Sequence, residues 1–195
     1  MNNIITSEQV KVYNNGMSAQ IAQTEAIAKN ADLSDLKVWE ASELVFANSL
    51  IQKGLKERKL INHTRLHRML YLVYGYALVR HNARIGEFLF QPWDLGPAVE
   101  RVFQAIQGYG AQPIDDYCKE FDPTDYQLKS LGVDKDYVEF YQIVDEVWSK
   151  YHKRKLLDIS DEIKQPGGAW HKARIAHKPH LDIADIREEF IKLAK

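Results

Sequence analysis

The stretch from Leu66 to Gly110 constrains the fold more than any other part of this chain. Leu66, Met69, Leu70, Val73, Tyr76 and Ala77 fall at i, i+3, i+4, i+7, i+10 and i+11, the spacing of one face of an α-helix. Tyr71 and Leu72 add a second apolar face, which predicts a central helix. His81 to Gly86 breaks the pattern. Glu87 to Trp93 then carries Phe88, Leu89 and Phe90 without helical punctuation, and reads as a short extended piece of a small β element near residues 85–92. Pro92 disfavours helix for the residue before it. Asp94 reads as a helix N-cap region and Pro97 as a first-turn residue, where its missing N–H costs nothing. Val99, Val102, Phe103 and Ile106 form the next stripe, ended by Gly108 and Gly110. The Trp-x-x-Gly-Pro run is thus expected to be a rigid corner between two core helices. No residue in this stretch is equipped for catalysis.

The chain has 195 residues, enough for one domain with its own core. Its net charge of −1 gives no global pull towards nucleic acid or an anionic membrane. Cys118 is the only cysteine, so neither an internal disulfide nor a thiolate metal cluster can form. A lone cysteine suits a reducing compartment. The N-terminal residues lack a basic start and an apolar run of signal-peptide length. No segment has the apolar length of a membrane span. The expected location is the cytoplasm.

Residues 1–37 differ from the rest, being polar and free of tryptophan and phenylalanine. Met17, Ile21, Thr24 and Ala28 repeat at helical spacing after the Asn14-Asn15-Gly16 turn signal, which predicts a weakly amphipathic helix that docks on something. Residues 38–195 are expected to form the main domain. A first helix is predicted from Val38 to about Lys53, stopped at Gly54. Asn62 or His63 opens the central helix. Residues 111–123 read as a loop, Thr124 as the cap of a short helix ending at Gly132, and Asp134 as the cap of a longer one. That longer helix buries Tyr137, Tyr141, Val144, Trp148 and Tyr151. Leu156 to Ile163 forms another helix, ended by Pro166-Gly167-Gly168. Trp170 opens a last pair, with Asp182 capping Ile183, Ile186, Phe190 and Leu193. The expected fold is mainly α: a compact bundle of about seven or eight helices with a short β element.

Chemistry-bearing constellations are sparse. His63 and His67 share a helix face, as two metal ligands would, but the glutamate of a His-Glu-x-x-His hydrolase is missing and no third ligand is marked. A helix-start histidine followed by a partly buried one is the simpler account. His171, His177 and His180 mix with Lys172, Arg174 and Lys178 in a cationic segment, read first as solvated and alternatively as a surface for an acidic partner. The basic runs at Lys53–Lys59 and Lys150–Lys155 suit solvated helix ends better than phosphate contacts. No phosphate-cradling or nucleophile-elbow motif is present. No enzyme, metal or cofactor is predicted. Trp93 and Trp170 stand at Gly or Pro corners, as core plugs or, second, as interface anchors. The candidate partner-binding residues are Tyr13, Met17 and Ile21 on the N-terminal helix, with His171 and Arg174 in the late segment.

These motifs resemble the Panacea antitoxin domain, also described as the SocA-like or GepA-like phage-associated family. Leu66-His67-Arg68-Met69-Leu70-Tyr71 is similar to its Leu-x-Lys-Leu-Leu-Tyr helix. Pro92-Trp93-Asp94-Leu95-Gly96-Pro97-Ala98-Val99 resembles its Trp-x-x-Gly-Pro-Val corner. Ile159, Ser160, Pro166, Trp170 and Ala173 look like its late element, and Ile183 to Phe190 its final helix. Leu66, Leu70, Tyr71, Trp93, Gly96, Pro97, Val99 and Trp170 are the fold-defining positions so matched. The resemblance implies an antitoxin that neutralises a protein toxin by direct contact. One branch of the family instead delivers its toxin to a ClpXP-type protease. A third expectation, a nucleic-acid-binding regulator, meets poor electrostatics: residues 1–37 offer Lys11, Lys29 and Lys37 against Glu8, Glu25, Asp32 and Asp35.

Overall fold

A computed structural model describes residues 33–122, 124, 127–130 and 137–193. The predicted N-terminal helix, with Tyr13, Met17 and Ile21, lies outside the described residues, as does Asp134. A 3-10 turn at Leu33–Asp35 leads into β1 (Lys37–Trp39), then α1 (Glu43–Glu57) and α2 (His63–Arg80). Next come β2 (Ala83–Ile85), β3 (Gln91–Trp93), β4 (Gly96–Ala98) and α3 (Glu100–Ile106). β5 (Lys119–Asp122) and β6 (Gln127–Ser130) precede α4 (Val138–Tyr151), α5 (Leu156–Ile163), α6 (Ala169–Ile175) and α7 (Ile183–Leu193). The described residues therefore form a mainly α fold of seven α-helices with three two-stranded β pieces.

α2 is the axis of the molecule. Asn62 caps it, its side chain accepting from the Arg65 N–H at 3.0 Å. Every residue from Leu66 to Val79 is buried, as expected for a helix apolar nearly all round. α1, α4, α5 and α7 pack around it. Where α7 crosses, Gly75 is required: a Cβ there would lie 2.2 Å from the ring of the fully buried Phe190.

Three expectations need correction. The first helix begins at Glu43, capped by Ser42, and continues past Gly54 to Glu57. Gly54 is a close-approach residue rather than a stop, since a Cβ would sit 3.0 Å from the Lys59 carbonyl oxygen and 3.4 Å from Trp148. Residues 37–39 form a strand instead, paired in parallel with β2, with Trp39 opposite Ile85. That partner lies far along the chain, so local periodicity carries no sign of it. Finally, Thr124 stands in the turn of the antiparallel β5–β6 hairpin rather than at a helix cap. Lys119 to Ser130 mixes charged and apolar residues too evenly for its pattern to separate strand from helix.

Gly75→Ala is expected to destabilise the chain by about 1–3 kcal/mol through overpacking, despite alanine's better helix propensity. Adding Phe190→Leu should recover part of that loss. Urea unfolding of the two single variants and the double variant checks this, with the non-additivity as the readout.

Candidate partner-binding cleft

The Trp-x-x-Gly-Pro run is a β-hairpin, not a helix entry. β3 and β4 pair antiparallel with Trp93 opposite Gly96, leaving Asp94 and Leu95 as a two-residue turn. Gly96 has φ +121°, a backbone region that side chains disfavour. It also lies directly on a guanidinium: a Cβ there would be 2.7 Å from Cζ of Arg68. Pro92 and Pro97 face each other across the hairpin, where neither has an N–H to donate. The helix starts later than expected, at Glu100. Val99 occupies its N-cap position and has no side-chain cap bond. Its N–H is taken instead by Nδ1 of His67 at 3.3 Å.

The hairpin, the first turns of α2, α3 and α6 enclose a cleft of about 510 Å³. α2 contributes His63, Thr64, His67 and Arg68, the hairpin Pro92 to Gly96, α3 Phe103 and α6 Arg174. Trp93 meets Phe103 edge-on at 4.9 Å, forming an aromatic wall. The indole N–H of Trp170 donates to the Trp93 carbonyl at 2.8 Å. Arg174 donates to the Pro92 carbonyl at 3.3 Å and pairs with Asp94 at 2.8 Å. α6 is therefore fastened to the hairpin at several points, and the cleft rests on rigid elements.

Arg68 is 1% exposed. Its Nε donates to Ser160 Oγ at 3.3 Å and its Nη1 to the Pro97 carbonyl at 3.2 Å. Both acceptors are neutral, and burial pulls the guanidinium down to about 10. His67 is 3% exposed, and burial, helped by the Arg68 charge, pushes its imidazole down to about 3. It is neutral at physiological pH. With Nδ1 accepting from Val99, the ring proton resides on Nε2. His63 and His67 do share a face of α2 and both line the cleft. Among the described residues, however, no three His, Cys, Asp or Glu side chains are grouped to hold a metal ion.

The structure distributes the residues singled out from sequence unevenly. Leu66, Leu70, Tyr71 and Val99 are buried in the core. Gly96 and Pro97 form the hairpin, and Trp93 and Trp170 are half-buried at the cleft's edge rather than full core plugs. Arg174 stands at the mouth. His171 is half-buried and turned to the Gly167 N–H, away from the cleft lining. His171 to Ile175 is helical, so the cationic segment is a loop only beyond α6. The run at Lys53–Lys59 is ion-paired through Lys53 with Asp145 and Lys59 with Glu57. Sequence reasoning missed Arg68, Thr64 and Phe103 as cleft residues. One signal was available: Arg68 is a cation inside a helix otherwise apolar nearly all round, where a charge requires partners.

Glu189 holds α6 in place from behind. Its Oε2 accepts from the Ala169 N–H at 2.7 Å and from the Tyr71 hydroxyl at 3.0 Å. Burial raises its carboxyl from the ordinary 4.5 to about 7. The stability linked to this group is complete below pH 4.5 and is lost as pH rises through about 7. Glu189→Gln keeps an acceptor for both donors and removes the buried charge. Its NH2 replaces Oε1, which has no partner among the described residues, so the readout is the pH dependence: the loss of melting temperature between pH 5 and pH 8 is expected to be smaller in the variant by about 2–4 °C, as thermal melts across that range would show.

No helix of the described residues is long and apolar enough to cross a membrane. No curated protein and no solved structure matches the chain. The family model of the antitoxin SocA-like Panacea domain matches residues 66–171, which takes in α2 from Leu66 onward, the β3–β4 hairpin, α3 and the opening of α6. That is more than half of the chain, and the protein belongs to the SocA-like Panacea antitoxin family.

Proposed function

We propose that this chain is the antitoxin of a toxin–antitoxin pair and neutralises a protein toxin by direct contact through the face around the cleft. Membership of an antitoxin-like family carries the reading. The surface supports it: Leu95 is 62% and Ile175 66% exposed, and they flank the Asp94–Arg174 pair. Half-buried Trp93 and Trp170 stand beside them, and exposed apolar groups around aromatic anchors are the makings of a protein interface. Contact there would cover the toxin's active site or block its active conformation, with no catalysis by the antitoxin. Residues 1–37 would contribute to the choice of toxin, since they lie outside the matched domain.

Co-expression with the product of the adjacent reading frame tests this. The frame should be toxic alone and harmless beside the intact chain. Leu95→Glu with Ile175→Glu should abolish rescue while the melting temperature stays within about 2 °C, as expected for exposed sites. Deleting residues 1–32 should also abolish rescue. The cut stops there because Leu36 and Trp39 are buried in the core. Rescue that survives the double substitution would sink the proposed interface, and rescue that requires a ClpXP-type protease would replace occlusion with delivery to degradation.

A further inference from the structure

Two donors at the cleft have no acceptor among the described residues: Nε2–H of His67 and Nη2 of Arg68. Both side chains line the cleft, and both are more than nine-tenths buried. An unsatisfied buried donor costs about 1–3 kcal/mol, and more when it belongs to a charged group. Arg68 has the further burden of a buried positive charge whose hydrogen-bond acceptors, Ser160 Oγ and the Pro97 carbonyl, are neutral. An anionic acceptor that met both nitrogens would relieve all three costs together.

We propose that this cleft is a binding site for a carboxylate carried on an apolar or aromatic group. A carboxylate has one negative charge and two acceptor oxygens, matching one buried cation and two free donors. His67, neutral at physiological pH, adds a hydrogen bond without adding charge. Arg174 already pairs with Asp94 and stands exposed at the mouth. A dianionic phosphate would therefore bring a second charge with no buried counterpart. Trp93 and Phe103, meeting edge-on, supply an apolar wall beside the donors, and the volume suits a group of side-chain size or somewhat larger. Both nitrogens are closed off from water, with Gly96 lying against the Arg68 guanidinium and the Trp93 ring beside that of His67. The ligand therefore reaches them by displacing the tip of the β3–β4 hairpin together with the Trp93 ring, whose indole N–H is held by Gln91.

The carboxylate can belong to a free small acid or to the C-terminus of a protein chain, and the two share this chemistry. The inference stands apart from toxin neutralisation, and its test uses the full chain alone. The chain is titrated with 3-phenylpropionate, with N-acetylphenylalanine as a mimic of a chain terminus, and with the neutral 3-phenylpropionamide. Melting temperature and tryptophan fluorescence report binding. Both acids should saturate and raise the melting temperature, with the amide at least about tenfold weaker, since it lacks the charge that strengthens the bonds. Tighter binding of N-acetylphenylalanine would identify a chain terminus as the source, and tighter binding of phenylpropionate a small acid. Thr64→Asp places a negative charge in the cleft at the second residue of α2, where a helix N-terminus favours an acid. It should leave the melting temperature intact and weaken acid binding at least about tenfold. Acid and amide binding equally, no saturation by about 10 mM acid, or Thr64→Asp binding like the native chain would each overturn the proposal.

Discussion

The buried guanidinium of Arg68 is the constraint on which the functional face depends. A cation taken out of water must be met by oxygens, or the fold bears its desolvation unaided. Here the oxygens come from two directions: the Pro97 carbonyl on the hairpin and Ser160 Oγ on α5. α2, the β3–β4 hairpin and α5 are thereby joined at one side chain. Gly96 completes the joint because only a residue without Cβ can lie on the guanidinium with φ +121°. Its neighbour His67 does the same for α3 by accepting the Val99 N–H, which no side-chain cap takes.

Around this joint the rest of the face is fastened in sequence. The Trp170 indole and the Arg174 guanidinium tie α6 to the hairpin carbonyls of Trp93 and Pro92. Glu189 ties the start of α6 to α7 and to Tyr71 of α2. Three of these bonds engage backbone groups, the Trp93 and Pro92 carbonyls and the Ala169 N–H at the start of a short helix, so the same contacts satisfy the backbone and set the geometry. The outcome is an aromatic-walled cleft on rigid supports, rimmed by exposed Leu95 and Ile175. Such a surface, apolar and aromatic with a few fixed polar groups, suits recognition.

Much of this architecture could be read in the chain itself. The i, i+3, i+4, i+7 pattern from Leu66 located the central helix, and its second apolar face announced its full burial. Asn62 and Asp182 announced helix starts, because their side chains satisfy N–H groups that a helix cannot satisfy internally. The Trp-x-x-Gly-Pro run was legible as a rigid element but not as a hairpin. Pro97 fits a first helical turn and a strand facing another proline equally well, and only the pairing with Pro92 distinguishes them. β1 went unseen for a similar reason: residues 37–39 need β2, more than forty positions on, before an extended conformation pays.

The mainly α class, the position of the axial helix and the family are legible in the chain alone, because they rest on local periodicity and on contiguous motifs. Which residues line the cleft emerges only from the packed fold. His67 and Arg68 read as punctuation in an apolar helix until Gly96, Pro97, Val99 and Ser160 are brought against them. Whether a buried polar group is satisfied depends on partners about thirty to ninety residues away, and no local pattern encodes that.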